Sequence, residues 1–99
     1  MKLNEYQQLA LKTHDSTLSK QHALTQYTLG FLGEIGEIAE HIKKNQFQNQ
    51  PLDLQAFSLD LGDCLWYLTT LAHVSGFTLE QIADKNVHKL KTRYPDKFQ

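Results

Sequence analysis

The sequence predicts an all-α fold, a four-helix bundle-like chain in one domain that spans residues 1–99. Apolar residues recur at intervals of three and four along most of the chain, which is the period of a helix that buries one face. Proline, glycine and helix-capping residues separate these periodic runs. No stretch alternates apolar and polar residues as a half-buried strand does, so we expect helices joined by short loops.

The first two helices are predicted in the N-terminal half. Helix one runs from about Asn4 to His14, and Asn4 with Gln7 has the spacing of a capping box. Helix two begins at position 22 or 23 and ends near Lys44, where two lysines suit the negative end of the helix dipole. The apolar arc of helix two consists of Phe31, Leu32, Ile35, Ile38, Ala39 and Ile42.

Two more helices are predicted after an amide-rich loop at residues 45–50. A proline closes this loop at the first turn of helix three, which covers about Leu52–Ser75 and ends at a glycine. Helix four covers about Leu79–Tyr94. Thr78 and Gln81 have the spacing of a capping box before it, and a proline ends it.

Helix three is apolar on nearly all sides. Its polar residues between positions 54 and 68 are Gln55, Ser58, Asp60 and Asp63, with Tyr67 amphipathic. A helix of this composition is normally buried on nearly all sides. Because the chain has only three other helices, we expect further copies of it to cover helix three in a homodimer or homotetramer.

Composition and charge limit the class of partner. The net charge of −1 gives no case for a nucleic-acid polymer or an anionic membrane. The N-terminal residues have no apolar signal core, and no apolar run approaches the length of a membrane span. The single cysteine, Cys64, cannot form an internal disulfide and lies in the most apolar segment. We therefore expect a cytoplasmic protein with an inert, buried thiol.

Two acidic pairs of identical spacing are the main candidates for chemistry. Glu34 and Glu37 lie on helix two, and Asp60 and Asp63 lie on helix three, so each pair places two carboxylates on one helix face. Burying an uncompensated carboxylate is costly, and protonation, salt bridges or a cation would each relieve that cost. A hard divalent ion fits best, because carboxylate ligands favour Mg²⁺ or Mn²⁺ over zinc.

A di-iron bundle also gathers carboxylates from several helices. It needs Glu-x-x-His pairs on two of them, and no acidic residue here has a histidine three positions later. His41 follows Glu37 by four positions and is a candidate for contact with the carboxylates that ligate the metal, rather than with the metal itself. Oxygen chemistry is therefore disfavoured.

Three sequence blocks resemble the MazG-type nucleoside triphosphate pyrophosphohydrolases of the all-α NTP pyrophosphatase superfamily. The blocks are Gly33-Glu34-x-Gly36-Glu37-x-x-Glu40, Asp60-Leu-Gly-Asp63-x-Leu-Trp-Tyr-Leu68 and Asn86-x-x-Lys89-Leu90-x-x-Arg93-Tyr94-Pro95. The resemblance runs from about Leu3 to Phe98. It implies Mg²⁺-dependent hydrolysis of (deoxy)nucleoside triphosphates to the monophosphate and pyrophosphate, in the service of clearing nucleotide pools.

The resemblance also implies roles for the acidic residues. The metal ligands would be Glu34, Glu37, Asp60 and Asp63. Asp60 stands where the family commonly has glutamate, so its shorter side chain alters the geometry at that position. Glu37 and Asp63 are the candidate catalytic residues, since one carboxylate that is not ligating the metal could take the proton of the attacking water. The sequence does not identify which carboxylate does so.

Helix four carries the candidate substrate ligands. Asn86, Lys89 and Arg93 fall in one row beside its apolar stripe. In the light of the resemblance, Lys89 and Arg93 are interpreted as ligands of the β- and γ-phosphates and Asn86 as a partner of phosphate or sugar, with a solvated basic face as the alternative. Trp66 is a candidate pocket residue.

Two other functions stay open. The chain could be a non-catalytic helical interaction module, although such a module has no reason to place Asp60 and Asp63 on an apolar helix. It could also be another metal-dependent hydrolase of phosphorylated small molecules.

Gly30, Gly33 and Gly36 recur in a helix where glycine is costly, which predicts close approach of another helix or of the nucleotide.

Overall fold

The computed structural model describes all 99 residues, Met1–Gln99, and contains no strand. Its four α-helices are α1 (Leu3–Ala10), α2 (Lys20–Gln48), α3 (Leu54–Val74) and α4 (Leu79–Arg93). Short 3₁₀ helices cover Leu11–Thr13 and Pro95–Phe98. The predicted all-α class with four helices is confirmed.

The long helices α2 and α3 pack along each other and form the central pair. The shorter α1 and α4 pack mainly against each other and against α3. The buried residues are few, and they are Gln7, Ala10, Ala23, Tyr27, Thr69, Thr70, Ala72 and Leu79. The core of the single chain is therefore small, and it lies where α1 and the C-terminal half of α3 meet the other helices.

The predicted capping box at Asn4 and Gln7 is wrong, because both side chains bond to a distant helix. The residue that precedes α1 is Lys2, which makes no side-chain capping bond. Instead, Gln7 Oε1 accepts from the backbone N–H of Leu79 at 2.7 Å, and Asn4 Oδ1 accepts from that of Glu80 at 3.1 Å. These two amides cap the start of α4, where backbone N–H groups have no partner within the helix.

Helix α2 is longer at both ends than the sequence predicted. It begins after Ser19, whose hydroxyl accepts from the backbone N–H of His22 at 3.1 Å. It continues through Gln48, so the predicted loop at residues 45–50 is wrong over most of its length. Asn49 then adopts the left-handed conformation with φ of 55°, which asparagine tolerates better than most residues and which ends the helix.

The ends of α3 and α4 follow capping chemistry. Asp53 caps α3 by accepting from the backbone N–H of Ala56 at 3.1 Å, so the helix begins two residues later than predicted. Gly76 lies after its end with φ of +87°, a conformation that favours glycine. The predicted capping box at Thr78 and Gln81 is confirmed, with both reciprocal bonds present.

An aromatic layer joins α2 to α3. The rings of Tyr27, Trp66 and Tyr67 meet edge to face, with centroids 5.4 Å apart for Tyr27–Trp66 and 5.1 Å for Trp66–Tyr67. A Cβ atom at Gly30 would lie 2.6 Å from Cζ of Tyr67, whereas one at Gly33 would have no neighbour within 4 Å. Gly30 therefore allows the close helix approach that the sequence predicted, whereas no other part of the chain approaches Gly33 or Gly36.

The chain by itself leaves apolar side chains exposed on α2 and α3. On α3 the exposed leucines include Leu54 (66%), Leu61 (48%), Leu65 (37%) and Leu68 (40%). On α2 they are joined by Ile35 (48%) and Ile42 (40%) among others. Helix three is therefore only partly covered within one chain. None of the helices combines the length and the apolar character needed to cross a membrane.

Candidate metal centre

Three carboxylates meet between α2 and α3. Glu34 and Glu37 lie one turn apart on α2, and Asp60 reaches them from α3. One oxygen from each lies within 4.8 Å of the others. Oxygens on opposite sides of a Mg²⁺ or Ca²⁺ ion are roughly 4 to 5 Å apart, since each lies about 2.0–2.6 Å from the ion. The spacing of the three oxygens therefore fits a divalent cation.

Glu34 is the most constrained member of this cluster. Its Oε2 atom is buried and has no hydrogen-bond partner. Burial raises the pKa of Glu34, and the negative charges of Asp63, Glu37 and Asp60 raise it further. A buried acceptor without a partner is unfavourable, and more so when charged. A proton or a cation would satisfy this oxygen, and its lack of a partner therefore supports a metal at this position.

Asp63 lies one turn after Asp60 on α3 and is not part of the group of three. Of the neighbouring charges, that of Asp63 raises the pKa of Glu34 the most. Its charge also raises the pKa of Tyr6 on α1, where burial of the tyrosine is the main cause and the Thr69 hydroxyl acts in the opposite sense. The charge of Asp63 therefore acts on both Glu34 and Tyr6. Of the four predicted ligands, the structure groups three, and the fourth lies one helical turn from Asp60.

No lysine or arginine neutralises this cluster. The ion pairs of the chain are His41 with Asp60 and Lys43 with Glu40, the latter at 3.6 Å. A cavity of about 300 Å³ opens beside the cluster and is lined by Glu37, Glu40, His41 and Lys44. Protonation, salt bridges or a cation could relieve the carboxylate charge. Salt bridges from lysine or arginine are absent, so protonation and a cation remain.

His41 contacts one of the predicted ligands directly. Its Nε2 atom lies 2.7 Å from Oδ2 of Asp60. The ring also meets Phe57 edge to face, with centroids 6.0 Å apart. Its position on the chain was a usable signal, because residues four and seven positions after Glu37 and Glu34 lie on the same helix face.

The predicted substrate row on α4 is not joined to the carboxylates within one chain. Asn86, Lys89 and Arg93 are all exposed. Helix α4 packs mainly on α1 and α3, and neither cation forms an ion pair with the cluster. Asn86 lines an apolar cavity of about 340 Å³ whose walls include Leu65 and Leu68. The assignment of these three residues to substrate stays a prediction.

Trp66 lies against the N-terminal segment of the chain. Its Nε1–H donates to Oγ1 of Thr13 at 2.8 Å and to the carbonyl of Ala10 at 3.2 Å. Its ring meets Tyr27 and Tyr67 at their edges. These contacts orient the indole, while its role as a pocket residue stays a prediction.

Cys64 is a half-buried free thiol that directly follows Asp63 on α3. Burial raises the pKa of the Cys64 thiol, and the charges of Glu34, Asp60 and Asp63 raise it further. The reactive thiolate is therefore scarce at neutral pH. The direction of this pKa shift agrees with the predicted inert thiol, whereas the predicted burial is only partial.

Comparison with known proteins places most of this chain in one family. The sequence model of the MazG nucleotide pyrophosphohydrolase domain matches residues 21–98. This range includes every candidate ligand on α2, α3 and α4. The chain is also 36% identical over 77 residues to the Gene 37 protein of Mycobacterium phage L5. That alignment covers 71% of this chain and 65% of the phage protein. No solved structure matches the chain.

Proposed function

The chain belongs to the MazG nucleotide pyrophosphohydrolase family, and on that premise we propose that it hydrolyses (deoxy)nucleoside triphosphates to the monophosphate and pyrophosphate, with Mg²⁺ or Mn²⁺ as cofactor. The observation that carries this proposal is the buried Glu34 oxygen without a partner, inside a carboxylate cluster that no lysine or arginine neutralises. The role we propose is the clearing of nucleotide pools.

Glu34, Glu37 and Asp60 would hold the metal, with Asp63 at its side. A bound divalent ion supplies activation of the phosphoryl group and lowers the pKa of a water molecule. The carboxylates themselves repel a triphosphate that arrives without cations, so they select the metal-bound form of the substrate. In the reaction the water oxygen bonds to the α-phosphorus, and the bond from that phosphorus to the bridging oxygen of pyrophosphate breaks.

The proton of the attacking water needs an acceptor. Glu37 and Asp63 are both exposed, so either carboxylate is accessible to a water molecule at the site. We propose them as the candidate general bases. Lys89 and Arg93 are proposed as ligands of the departing phosphates, with Asn86 and Trp66 in contact with the rest of the nucleotide.

We further propose that the chain acts as a homodimer or homotetramer. Leu54, Leu61, Leu65 and Leu68 are spaced by seven, four and three residues, so they lie on one side of α3, and all four are exposed. Large contiguous apolar patches are uncommon on monomeric proteins. A second copy of the chain presents the same stripe and can cover it.

The oligomer can be tested with two leucines that are both exposed but lie on different sides of α3. Leu61→Glu places a charge in the proposed interface, while Leu59→Glu changes a leucine two positions away that is 72% exposed. We expect light scattering after size-exclusion chromatography to show an oligomer for the wild type and Leu59→Glu, and a monomer for Leu61→Glu. A monomeric wild type, or dissociation only by Leu59→Glu, would contradict the proposed interface.

The enzymatic proposal is tested with a panel of dNTPs and NTPs in the presence of Mg²⁺. We expect pyrophosphate as the first product, whereas orthophosphate would rule out attack at the α-phosphorus. Glu37→Gln and Asp63→Asn should abolish turnover, while Glu5→Gln, which changes an exposed glutamate on α1, should retain it. A wild type without turnover in Mg²⁺ or Mn²⁺ would instead support a non-catalytic interaction module.

A further inference from the structure

The contact between His41 and Asp60 crosses from one helix of the central pair to the other. Nε2 of His41 on α2 lies 2.7 Å from Oδ2 of Asp60 on α3. No other hydrogen bond or ion pair joins α2 to α3, which otherwise meet through apolar and aromatic side chains. The single polar bond between these helices thus involves a member of the carboxylate cluster.

The surroundings of this pair keep the bond in a defined geometry. The side chain of His41 is 25% exposed and that of Asp60 is 15% exposed, so water competes for the bond only in part. The Phe57 ring packs edge to face against the imidazole and restricts its rotation. Hydrogen bonds of this kind orient the residues that ligate a metal and are an integral part of a metal site.

We propose that His41 is a positioning residue for the metal centre. Its Nε2–H donates to Oδ2 of Asp60 and fixes the carboxylate so that Oδ1 is available to a cation together with Glu34 and Glu37. Aspartate has a short side chain, and a carboxylate that reaches the site from a second helix gains most from such an anchor. This inference depends on the proposed function, because it requires the metal site.

Two substitutions at His41 separate the hydrogen bond from the imidazole. In glutamine the amide nitrogen is as many bonds from Cβ as Nε2 is in histidine, so His41→Gln can donate to Asp60 from nearly the same position. In asparagine the amide nitrogen is one bond closer to Cβ, like Nδ1, so His41→Asn remains polar but cannot reach. Neither substitution adds a charge.

The experiment measures Mn²⁺ affinity without nucleotide, by electron paramagnetic resonance of the free ion. We expect His41→Asn to weaken Mn²⁺ binding by about 10-fold or more, and His41→Gln to bind nearly as well as the wild type. The same two substitutions are then made in an Asp60→Asn background. There His41→Asn should cause no further loss, because its effect acts through the aspartate carboxylate.

The possible results are distinct. If the wild type binds Mn²⁺ and His41→Asn binds equally well, the positioning role is wrong and the proposed function stands. Equal weakening by both substitutions would also overturn it, because the imidazole would then act other than by donating to Asp60. If His41→Asn weakens Mn²⁺ binding further in the Asp60→Asn background, its effect is a general structural one, and the positioning role is overturned as well. A wild type that does not bind Mn²⁺ removes both the metal site and this inference.

Discussion

Replacing Glu34 by glutamine should stabilise the metal-free protein and destabilise the metal-loaded one relative to the wild type. Without metal, the ionised carboxylate has a buried oxygen with no partner and three acidic neighbours. Glutamine removes the charge and provides an amide that can donate to those neighbours. With metal, the same substitution removes a ligand. The order of stability of the two proteins should therefore reverse when the cation is added.

The magnitudes are large enough to measure. A buried polar atom without a partner costs about 1–3 kcal/mol, and 1 kcal/mol shifts the melting temperature of a domain of this size by roughly 4–8 °C. Glu34→Gln should therefore melt at least about 4 °C above the wild type in EDTA. At a free metal concentration about 1,000 times its Kd, the wild type gains about 4.1 kcal/mol, or roughly 16 °C or more, while the variant gains little.

The pH dependence provides a second measurement on the same pair. Because the folded-state pKa of Glu34 is raised above 4.5, the folded protein holds this proton more tightly than the unfolded chain does. Stability contributed by this group is therefore lost as pH rises from about that value through the raised pKa. The metal-free wild type should show this loss, and Glu34→Gln should lack it.

The assay is thermal unfolding followed by circular dichroism, in EDTA and in Mg²⁺, with Glu40→Gln as control. Glu40 lies on the same helix but is exposed and pairs with Lys43, so its substitution should change the melting temperature little in either solution. If Glu34→Gln melts below the wild type in EDTA, the unpartnered Glu34 oxygen does not destabilise the metal-free protein. If both proteins gain equally from Mg²⁺, Glu34 is not a metal ligand.

Two further pairs of substitutions test the packing. Gln7→Ala should lower the free energy of unfolding by about 2 kcal/mol, because it leaves the buried N–H of Leu79 without a partner, while Gln8→Ala at an exposed neighbour should stay within about 0.5 kcal/mol. Gly30→Ala should cost about 1–3 kcal/mol through overlap with the tyrosine ring, whereas Gly33→Ala should gain up to about 1 kcal/mol. Urea unfolding measures all four, and equal effects within either pair would contradict the contacts described.

The parts of the structure that depend on helical period could be predicted from the sequence. Residues three and four apart share a face whatever the helix packs against, so the acidic pairs were visible as single faces of α2 and α3. The turn at Gly76 and the capping box at Thr78 are equally local, since their geometry is determined within a few residues. These features give the fold class and bring the candidate ligands to one interface.

The features that involve two distant segments could not be predicted in the same way. Asn4 and Gln7 have the spacing of a local cap, and only the packed structure shows that they cap α4 instead. That His41 lies on the ligand face follows from its position, but its pairing with Asp60 depends on how α3 is placed along α2. The spacing of residues within α4 likewise does not show whether that helix packs near the carboxylates or away from them.

The amide contacts between α1 and α4 make the order of synthesis differ from the order of assembly. Gln7 and Asn4 bond to residues that lie 70 to 76 positions further along the chain. During translation α1 emerges first, yet its buried glutamine has no partner until the start of α4 has been made. The N-terminal helix, which lies outside residues 21–98, should therefore dock late in folding. It should also exchange its amide protons together with the first turn of α4, as one cooperative unit that spans most of the chain.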